Sequence, residues 1–595
     1  MASRNTWLWV TLAIGLFAFV WFFERHWSAP VSGPPLVLPG LKTEAVTSVQ
    51  VRQLDLRAER VNGGWQLTRP LRYPARAGAI ESLLTNLAQL QAQTHISAAE
   101  LRQHTNMDAE FGFDAAHTSL LIQETSNRHQ LLVGARTPPG DQVFIQVVGV
   151  EGLYVVNADW LKLVPQTANE WRDTGFVSLR GLAFDRLVVT NQGAAFELQR
   201  GPARPGWQLV QPRQARADNA KIAEALRALE DLRVTQFVTD QPPADAESYG
   251  LQPPELSLTF AQGTNAVLQL AFGLSPTNAT NQVFARRSDR PSVMLVPREP
   301  LAPWHVKSDD FRDRHLLALN GRTVDRIEVR GDDEFALQRQ SGQAWRLLPQ
   351  DLPADRELVE NLITNLTSLR VSHFVKDVVI QPNLTDYGLA TPARQFVLKT
   401  AAPDASATNG LLGQLDFGAT EEERTYVRRP DEDAVYAVKA ADFQRLPGAA
   451  FQLRERRIWN QSEEQVARVL TRQAGKTREL IRNGTNSWSL APGSQGIINP
   501  DAVEETVHRL GQLYAVAWVA VGEPELARHG FQADGIEVTL ELKSGDRLSV
   551  RFGGVAPSGL TYAATTLAGQ LWIFECPPSV SELTRAYLLI PVSGS

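Results

Sequence analysis

The sequence predicts an α+β protein in which an N-terminal transmembrane helix precedes four tandem modules. Each module is expected to be a mainly antiparallel sheet with a packed amphipathic helix. Three observations carry this prediction. The chain opens with an uncharged apolar run at residues 7–23. A tryptophan motif then recurs four times at a nearly constant interval, and each copy is followed by a helix-period stripe and by paired strand patterns.

Length and composition are those of several folded domains. At about 150 residues per domain, 595 residues correspond to roughly four. Hydrophobic residues at 43% and charged residues at 21% are typical of globular protein. The net charge of −6 is spread without a basic block, so nucleic acid is not an expected partner. Cys576 is the single cysteine, which excludes an intramolecular disulfide and a cysteine-based zinc or redox site.

The apolar run at residues 7–23 lies at the short end of the roughly 17 to 25 residues that cross a bilayer. Tryptophans near both ends favour the headgroup layers. A cleaved signal peptide is the alternative, but its apolar region is usually about 7 to 15 residues long and ends at small residues. We expect a retained anchor at residues 1–27 in the inner membrane, single-pass with the N-terminus inside and most of the chain periplasmic. Proline-rich residues 28–40 then form a stiff spacer.

Three sequence markers recur in one order, four times. The first is a tryptophan at the start of a β-like run, at intervals of 142, 138 and 143 residues. The second is a glycine that follows an aromatic residue or histidine, and the third is a glycine that closes an apolar strand. They predict modules at residues 41–178, 179–318, 319–458 and 459–595. The structural repeat markers are Trp65, Trp207, Trp345, Trp488, Gly112, Gly250, Gly388 and Gly530, and the strand-closing glycines are Gly134, Gly273, Gly418 and Gly553.

A helix-period pattern separates the first two markers in each copy. In the third copy, Val359, Leu362, Leu366 and Leu369 form one apolar stripe. Asp355 stands where a helix N-cap is expected. A candidate strand pair precedes each tryptophan and four strands follow each aromatic-glycine marker. The predicted order is therefore β-β-α-β-β-β-β with a short helical tail, in which consecutive hairpins imply an antiparallel sheet with the helix on one face.

These motifs resemble the uncharacterised bacterial family called domain of unknown function 4340. The resemblance covers nearly everything after the spacer and is carried by W-x-L-x-x-P, the amphipathic helix, Y-G-L and the glycine-ended strand. The second and third copies match best, with Tyr-Gly-Leu at residues 249–251 and 387–389. The first and fourth depart from the pattern with Phe-Gly-Phe and His-Gly-Phe. The resemblance implies single-pass anchored proteins, often encoded beside ABC-transporter components of the gliding-motility type, and it supplies no catalytic residues.

The densest polar cluster, residues 305–315, contains two histidines and several aspartates that could in principle bind a metal. Its counterparts in the first and third copies keep an arginine beside an acidic residue but lose both histidines. We therefore interpret the cluster as a structural junction, in which Arg172, Arg312 and Arg454 tie one module to the next. Motifs for acyl transfer, P-loop nucleotide hydrolysis and dinucleotide binding are missing from the sequence. No catalytic, cofactor-binding or metal-binding residue is predicted.

The primary functional hypothesis is a non-enzymatic, membrane-anchored scaffold or accessory subunit of an envelope transport or gliding-motility-like ABC transporter complex. Its expected partners are the membrane, through residues 7–23, and other membrane or envelope proteins, without a small-molecule cofactor. The alternative is an anchored envelope hydrolase or a carbohydrate-binding module array. A cleft with convergent polar groups in one copy would favour the alternative, whereas shallow surfaces shared by all copies would favour the scaffold.

Overall fold

The computed structural model describes residues 4–27, 34–104, 106–114, 118–201, 206–241, 246–342, 344–401 and 410–589. Four antiparallel sheets of eight or nine strands, each with helices, form the four tandem modules that the sequence predicts. The chain divides into two compact units. Unit 1 comprises Met1–Pro212 and Asn219–Asp310, and unit 2 comprises Arg213–Asp218 and Phe311–Ser595. Modules 1 and 2 thus lie mainly in unit 1, and modules 3 and 4 in unit 2.

The N-terminal helix α1 (Arg4–Trp27) contains most of the uncharged run, and its side chains are described for residues 9–22. Over the part of the chain that the structure describes, no helix combines the length and the apolar character needed to cross a membrane. The side chains at residues 7, 8 and 23 and the spacer residues 28–33 lie outside the described part. The remaining spacer residues, 34–40, pack against module 1, where Val37 and Leu38 are buried.

Module 1 is one antiparallel sheet whose main helix joins its two edges. The strand order is β4-β3-β2-β1-β6-β7-β8-β9-β5, and α2 connects β4 at one edge to β5 at the other. The elements are β1 (Val46–Val51), β2 (Leu56–Val61), β3 (Gly64–Arg69), β4 (Tyr73–Pro74), α2 (Ala77–Ala88), β5 (Thr94–Ile96), α3 (Ala98–Leu101), α4 (Met107–Glu110), β6 (Thr118–Glu124), β7 (Arg128–Arg136), β8 (Gln142–Val147) and β9 (Leu153–Asn157).

Module 2 repeats this plan within unit 1. Its elements are β10 (Arg186–Asn191), β11 (Ala194–Arg200), β12 (Trp207–Gln211), α5 (Asn219–Glu230), β14 (Gln236–Thr239), β15 (Leu256–Gln262), β16 (Asn265–Phe272), β17 (Gln282–Arg287) and β18 (Val293–Pro297). Their order in the sheet is β12-β11-β10-β15-β16-β17-β18-β14. The two-residue strand β13 (Ala215–Arg216) belongs to the segment that clusters with unit 2.

Module 3 in unit 2 has the sheet order β22-β21-β20-β19-β24-β25-β26-β27-β23. Its elements are β19 (Arg326–Gly331), β20 (Phe335–Arg339), β21 (Trp345–Leu348), β22 (Leu352–Ala354), α6 (Arg356–Ser368), β23 (His373–Lys376), β24 (Arg394–Lys399), β25 (Leu411–Glu421), β26 (Arg424–Arg428), β27 (Val435–Lys439) and α7 (Ala440–Gln444). As the sequence predicts, Asp355 caps α6: its side chain accepts the backbone N–H of Leu358 at 3.2 Å.

Module 4 has eight strands in the order β30-β29-β28-β32-β33-β34-β35-β31. Its elements are β28 (Val466–Gln473), β29 (Lys476–Gly484), β30 (Ser487–Leu490), α8 (Pro500–Gly511), β31 (Ala517–Val521), β32 (Ile536–Leu542), β33 (Arg547–Val555), β34 (Thr561–Leu567), β35 (Gln570–Cys576) and α9 (Pro578–Leu583). A π-helical turn, Thr584–Leu588, follows α9.

The predicted order of elements is wrong in two places. The tryptophan run is itself a strand, so three or four strands precede each main helix rather than two. An additional edge strand, such as β14 or β23, follows each helix before the aromatic-glycine marker. These elements are short, between two and six residues. A short edge strand has too few residues to show a clear period of two, so its pairing is set by the neighbouring strand.

Each sheet carries a large core on one face and a small core on the other. In module 3 the apolar stripe of α6 covers the large core, where Val359 and Leu366 are fully buried. The adjacent residues Tyr426 and Val427 on β26 belong to different cores, Val427 to the large one and Tyr426 to the small one. Successive strand residues face opposite sides of a sheet, so the aromatic-glycine segment packs on the face opposite the helix.

Candidate functional site

The four marker tryptophans occupy equivalent positions at or beside the start of the third strand of each module. All are buried, with 2% to 6% of the residue exposed. Each is paired across the sheet with an arginine whose guanidinium carbon lies 4.3 to 5.0 Å from the indole ring, a cation–π contact that the sequence did not predict. The cross-strand pairs are Arg60 with Trp65, Arg200 with Trp207, Arg339 with Trp345 and Arg482 with Trp488.

The two glycine markers of each module form one contact. In module 2, Gly250 has φ of +64°, and a Cβ there would lie 2.7 Å from the backbone nitrogen of Leu274. A Cβ on Gly273 would lie 2.2 Å from the carbonyl oxygen of Tyr249. The Leu274 N–H donates to that carbonyl at 3.0 Å. Only glycine permits this close approach of backbone to backbone. The equivalent pairs are Gly112 with Gly134, Gly388 with Gly418 and Gly530 with Gly553.

The aromatic residue beside the first glycine packs edge-on against a second ring in every module. His529 takes this place in module 4, 5.0 Å from Tyr562, and its Nδ1 lies 2.7 Å from the carbonyl oxygen of Glu525. This histidine is therefore a member of the small core. The corresponding pairs are Phe111 with Phe144, Tyr249 with Phe284 and Tyr387 with Tyr426.

Residues 172–177, which we call the arm of module 1, join modules 1 and 2. At its beginning Arg172 forms an antiparallel bridge with Ala75 beside β4. At its other end Gly175 forms a bridge with Arg233, between α5 and β14. Beside this second bridge, the Phe176 N–H donates to the carbonyl of Leu232 at 3.0 Å. The arm is therefore hydrogen-bonded to one module at each end.

The Arg172 side chain extends from the arm into module 2 and is fully buried. Its guanidinium carbon lies 4.3 Å from the ring of Tyr73 in module 1 and 3.7 Å from the ring of Phe237 in module 2. Nη2 and Nη1 donate to the two carboxylate oxygens of Asp240 at 2.7 and 3.1 Å. Ser292 donates its hydroxyl to Asp240 at 3.1 Å. This bidentate, stacked geometry compensates the desolvation of the arginine.

The sequence predicted Arg172 at a junction but missed its partner. Asp240 lies 68 residues further along the chain, and the aromatic Phe237 stands three residues before it. A usable signal was present, because Phe-Val-x-Asp occurs at residues 237–240 and again at residues 374–377.

Arg312 repeats this arrangement inside unit 2. It is 3% exposed, its guanidinium carbon lies 3.7 Å from the ring of Phe374, and Nη2 lies 2.8 Å from Oδ1 of Asp377. The Asp377 carboxylate also forms an ion pair with Arg213. Nearby, Nε of Arg216 lies 2.6 Å from Glu432. The polar cluster at residues 305–315 therefore centres on a buried ion pair.

Arg454 joins modules 3 and 4 with a different chemistry. It bridges to Ala354 through its backbone, as Arg172 does to Ala75. Its guanidinium carbon lies 3.9 Å from the ring of Trp572 and 5.4 Å from that of Trp518. Val521 occupies the position of Asp240, three residues after the aromatic residue. Burial lowers the pKa of Arg454, but a guanidinium stays charged because its ordinary pKa is so high.

The two histidines of the polar cluster lie apart in function from the joint. Burial lowers the pKa of His305, and Nδ1 of His315 lies 3.0 Å from Oδ1 of Asp313. Within the described ranges, nowhere do three His, Cys, Asp or Glu side chains converge as a metal-binding group. The deepest polar features of these modules are therefore the arginine joints.

A family model, described as Domain of unknown function (DUF4340), matches three stretches of the chain, residues 65–205, 207–350 and 345–534. The three matches begin at Trp65, Trp207 and Trp345, so the family unit and the structural repeat share one register. Neither a curated protein nor a solved structure matches the chain. Because the matches span most of its length, the chain belongs to the DUF4340 family.

Proposed function

We propose that this protein is a non-enzymatic, membrane-anchored scaffold, an accessory subunit of an envelope transport or gliding-motility-like ABC transporter complex. The buried arginine joint between modules 1 and 2 is the observation that carries the scaffold proposal. A fully buried, bidentate Arg172–Asp240 pair holds two copies of one sheet in a defined relation. Repeated surfaces held in this way suit several weak contacts with one partner, since each further contact is made at high effective concentration.

The membrane part of the proposal rests on α1. Residues 9–22 contain no charged side chain, and large apolar residues on different faces of the helix are exposed. Trp9 is 69%, Ile14 63% and Phe17 74% exposed. A helix that is apolar all round lowers its free energy by entering an apolar medium. We propose that this medium is the inner membrane, with the modules on the extracytoplasmic side. The transporter partner comes from the family resemblance alone.

The test compares the full chain with a variant that lacks residues 1–27. The full chain should stay with membranes through a carbonate wash, and cross-linking in native membranes should capture an integral membrane complex. The shortened variant should be released into the soluble fraction and capture much less. Release of the full chain by the wash would refute the anchor. Capture of no membrane protein, together with turnover of an envelope polymer by the modules, would favour the hydrolase alternative.

A further inference from the structure

Residues 34–38, directly before module 1, have the same contacts as an arm between modules. Leu36 forms an antiparallel bridge with Gln91, which follows α2. The Val37 N–H donates to the carbonyl of Leu90 at 2.9 Å, and the Ala92 N–H donates to the carbonyl of Pro35 at 2.9 Å. The predicted spacer thus ends in an ordered segment that is hydrogen-bonded to the loop after the main helix.

The arm of module 1 contacts module 2 in the same pattern. There the bridge joins Gly175 to Arg233, the N–H of Phe176 donates to the loop after α5, and that loop donates back at 2.7 Å through Val234. The two residues after each bridge are buried, 1% and 3% exposed at residues 37 and 38, and 0% and 4% at residues 176 and 177. Residues 34–38 therefore occupy the arm site of module 1.

The chain that enters this arm site comes from α1. The helix ends at Trp27, and the arm begins at Pro34. Seven peptide links separate these two residues, which can reach at most about 25 Å when fully extended. The loose part of the connection between α1 and module 1 is therefore short.

We propose that residues 34–38 are a coupling arm that fastens α1 to module 1 through the same joint that fastens one module to the next. The two backbone hydrogen bonds and the buried side chains of Val37 and Leu38 make the attachment. The first module then follows the position of the helix and does not swing on a 13-residue spacer. The consequence for a membrane rests on the proposed function, whereas the docking of the arm does not.

The test uses the full chain with Val37→Asp, which places a charge at a site that is 1% exposed. Leu36→Asp is the matched control, because this neighbour in the same arm is 38% exposed. Hydrogen exchange should be at least about tenfold faster at the Ala92 amide in Val37→Asp, and within about threefold of the unchanged protein in Leu36→Asp. Val37→Ala should shift exchange in the same direction by less, which keeps the test valid if the charged variant unfolds module 1.

A distance measurement links the arm to the membrane. Val148 is 51% exposed on the turn after β8, and Cys576 is buried, so a Val148→Cys background can be labelled selectively with a fluorophore. Energy transfer to labelled headgroups in phosphatidylethanolamine and phosphatidylglycerol vesicles should fall in Val37→Asp, while the protein stays bound to the vesicles. Equal exchange and equal transfer in Val37→Asp and Leu36→Asp would overturn the coupling arm. Loss of vesicle binding in every variant, with the exchange contrast intact, would overturn the membrane anchor and leave the arm standing.

Discussion

Replacing Asp240 with asparagine should loosen the joint between modules 1 and 2. The substitution keeps the side-chain shape but removes the charge that faces Arg172, which is fully buried. Removing one partner of a buried ion pair costs roughly 3–5 kcal/mol, because the remaining charge stays desolvated. The Asp240 side chain is 41% exposed, so water offsets part of this loss, and we expect about 2–3 kcal/mol.

Hydrogen exchange at the arm measures this cost directly. At about 1.4 kcal/mol per factor of ten, the amides of Phe176 and Val234 should exchange roughly 30 to 140 times faster in Asp240→Asn. Asp159→Asn is the control, since the Asp159–Lys162 pair lies on the surface and both side chains are more than 70% exposed. Exchange at the arm that is no faster in Asp240→Asn than in this control would refute the role of the ion pair.

Three further predictions concern the repeat itself. Trp345→Ala should destabilise module 3 by about 3–5 kcal/mol, seen as an earlier midpoint of its denaturant-unfolding transition, because a residue 2% exposed is lost from the core. Gly250→Ala should cost clearly more than Gly263→Ala in thermal unfolding, since both have positive φ but only Gly250 faces a backbone atom within 3 Å, and equal costs would contradict the close contact. Burial alone would raise the pKa of Glu124, but hydrogen bonds led by the Lys42 N–H hold that pKa below its ordinary value, so its stabilisation is present at neutral pH and is lost as the pH falls below about 4.5. The melting temperatures of the unchanged protein and Glu124→Gln should therefore converge in acid.

Much of the fold could be predicted from local patterns. The recurrence of tryptophan and glycine in one order gave four modules, because each copy needs the same buried ring and the same positive-φ backbone. The stripe from Val359 to Leu369 gave α6, since burial of a helix face leaves a 3.6-residue period. Asp355 marked its first turn, because a cap acts on backbone groups only three residues away.

The strand count and the extent of the spacer were less predictable. Edge strands such as β4 are too short to show a period, and their hydrogen bonds depend on the strand beside them. Residues 34–38 look like a proline-rich linker by composition, yet they pair with the loop after α2. Composition describes the chain itself and contains no information about a docking partner more than 50 residues away.

The joints show most clearly where the sequence ends and the tertiary structure begins. The sequence by itself determined the repeat, the helix faces, the glycine positions and the arginine at each boundary, because each leaves a local period or a recurring residue. Only the tertiary structure decided that Arg172 meets Asp240 and Phe237, whereas Arg454 meets Trp518 and Trp572. A buried guanidinium needs a compensating carboxylate or aromatic face, and either solution satisfies that need. Which one is used depends on side chains that folding brings together from distant parts of the chain.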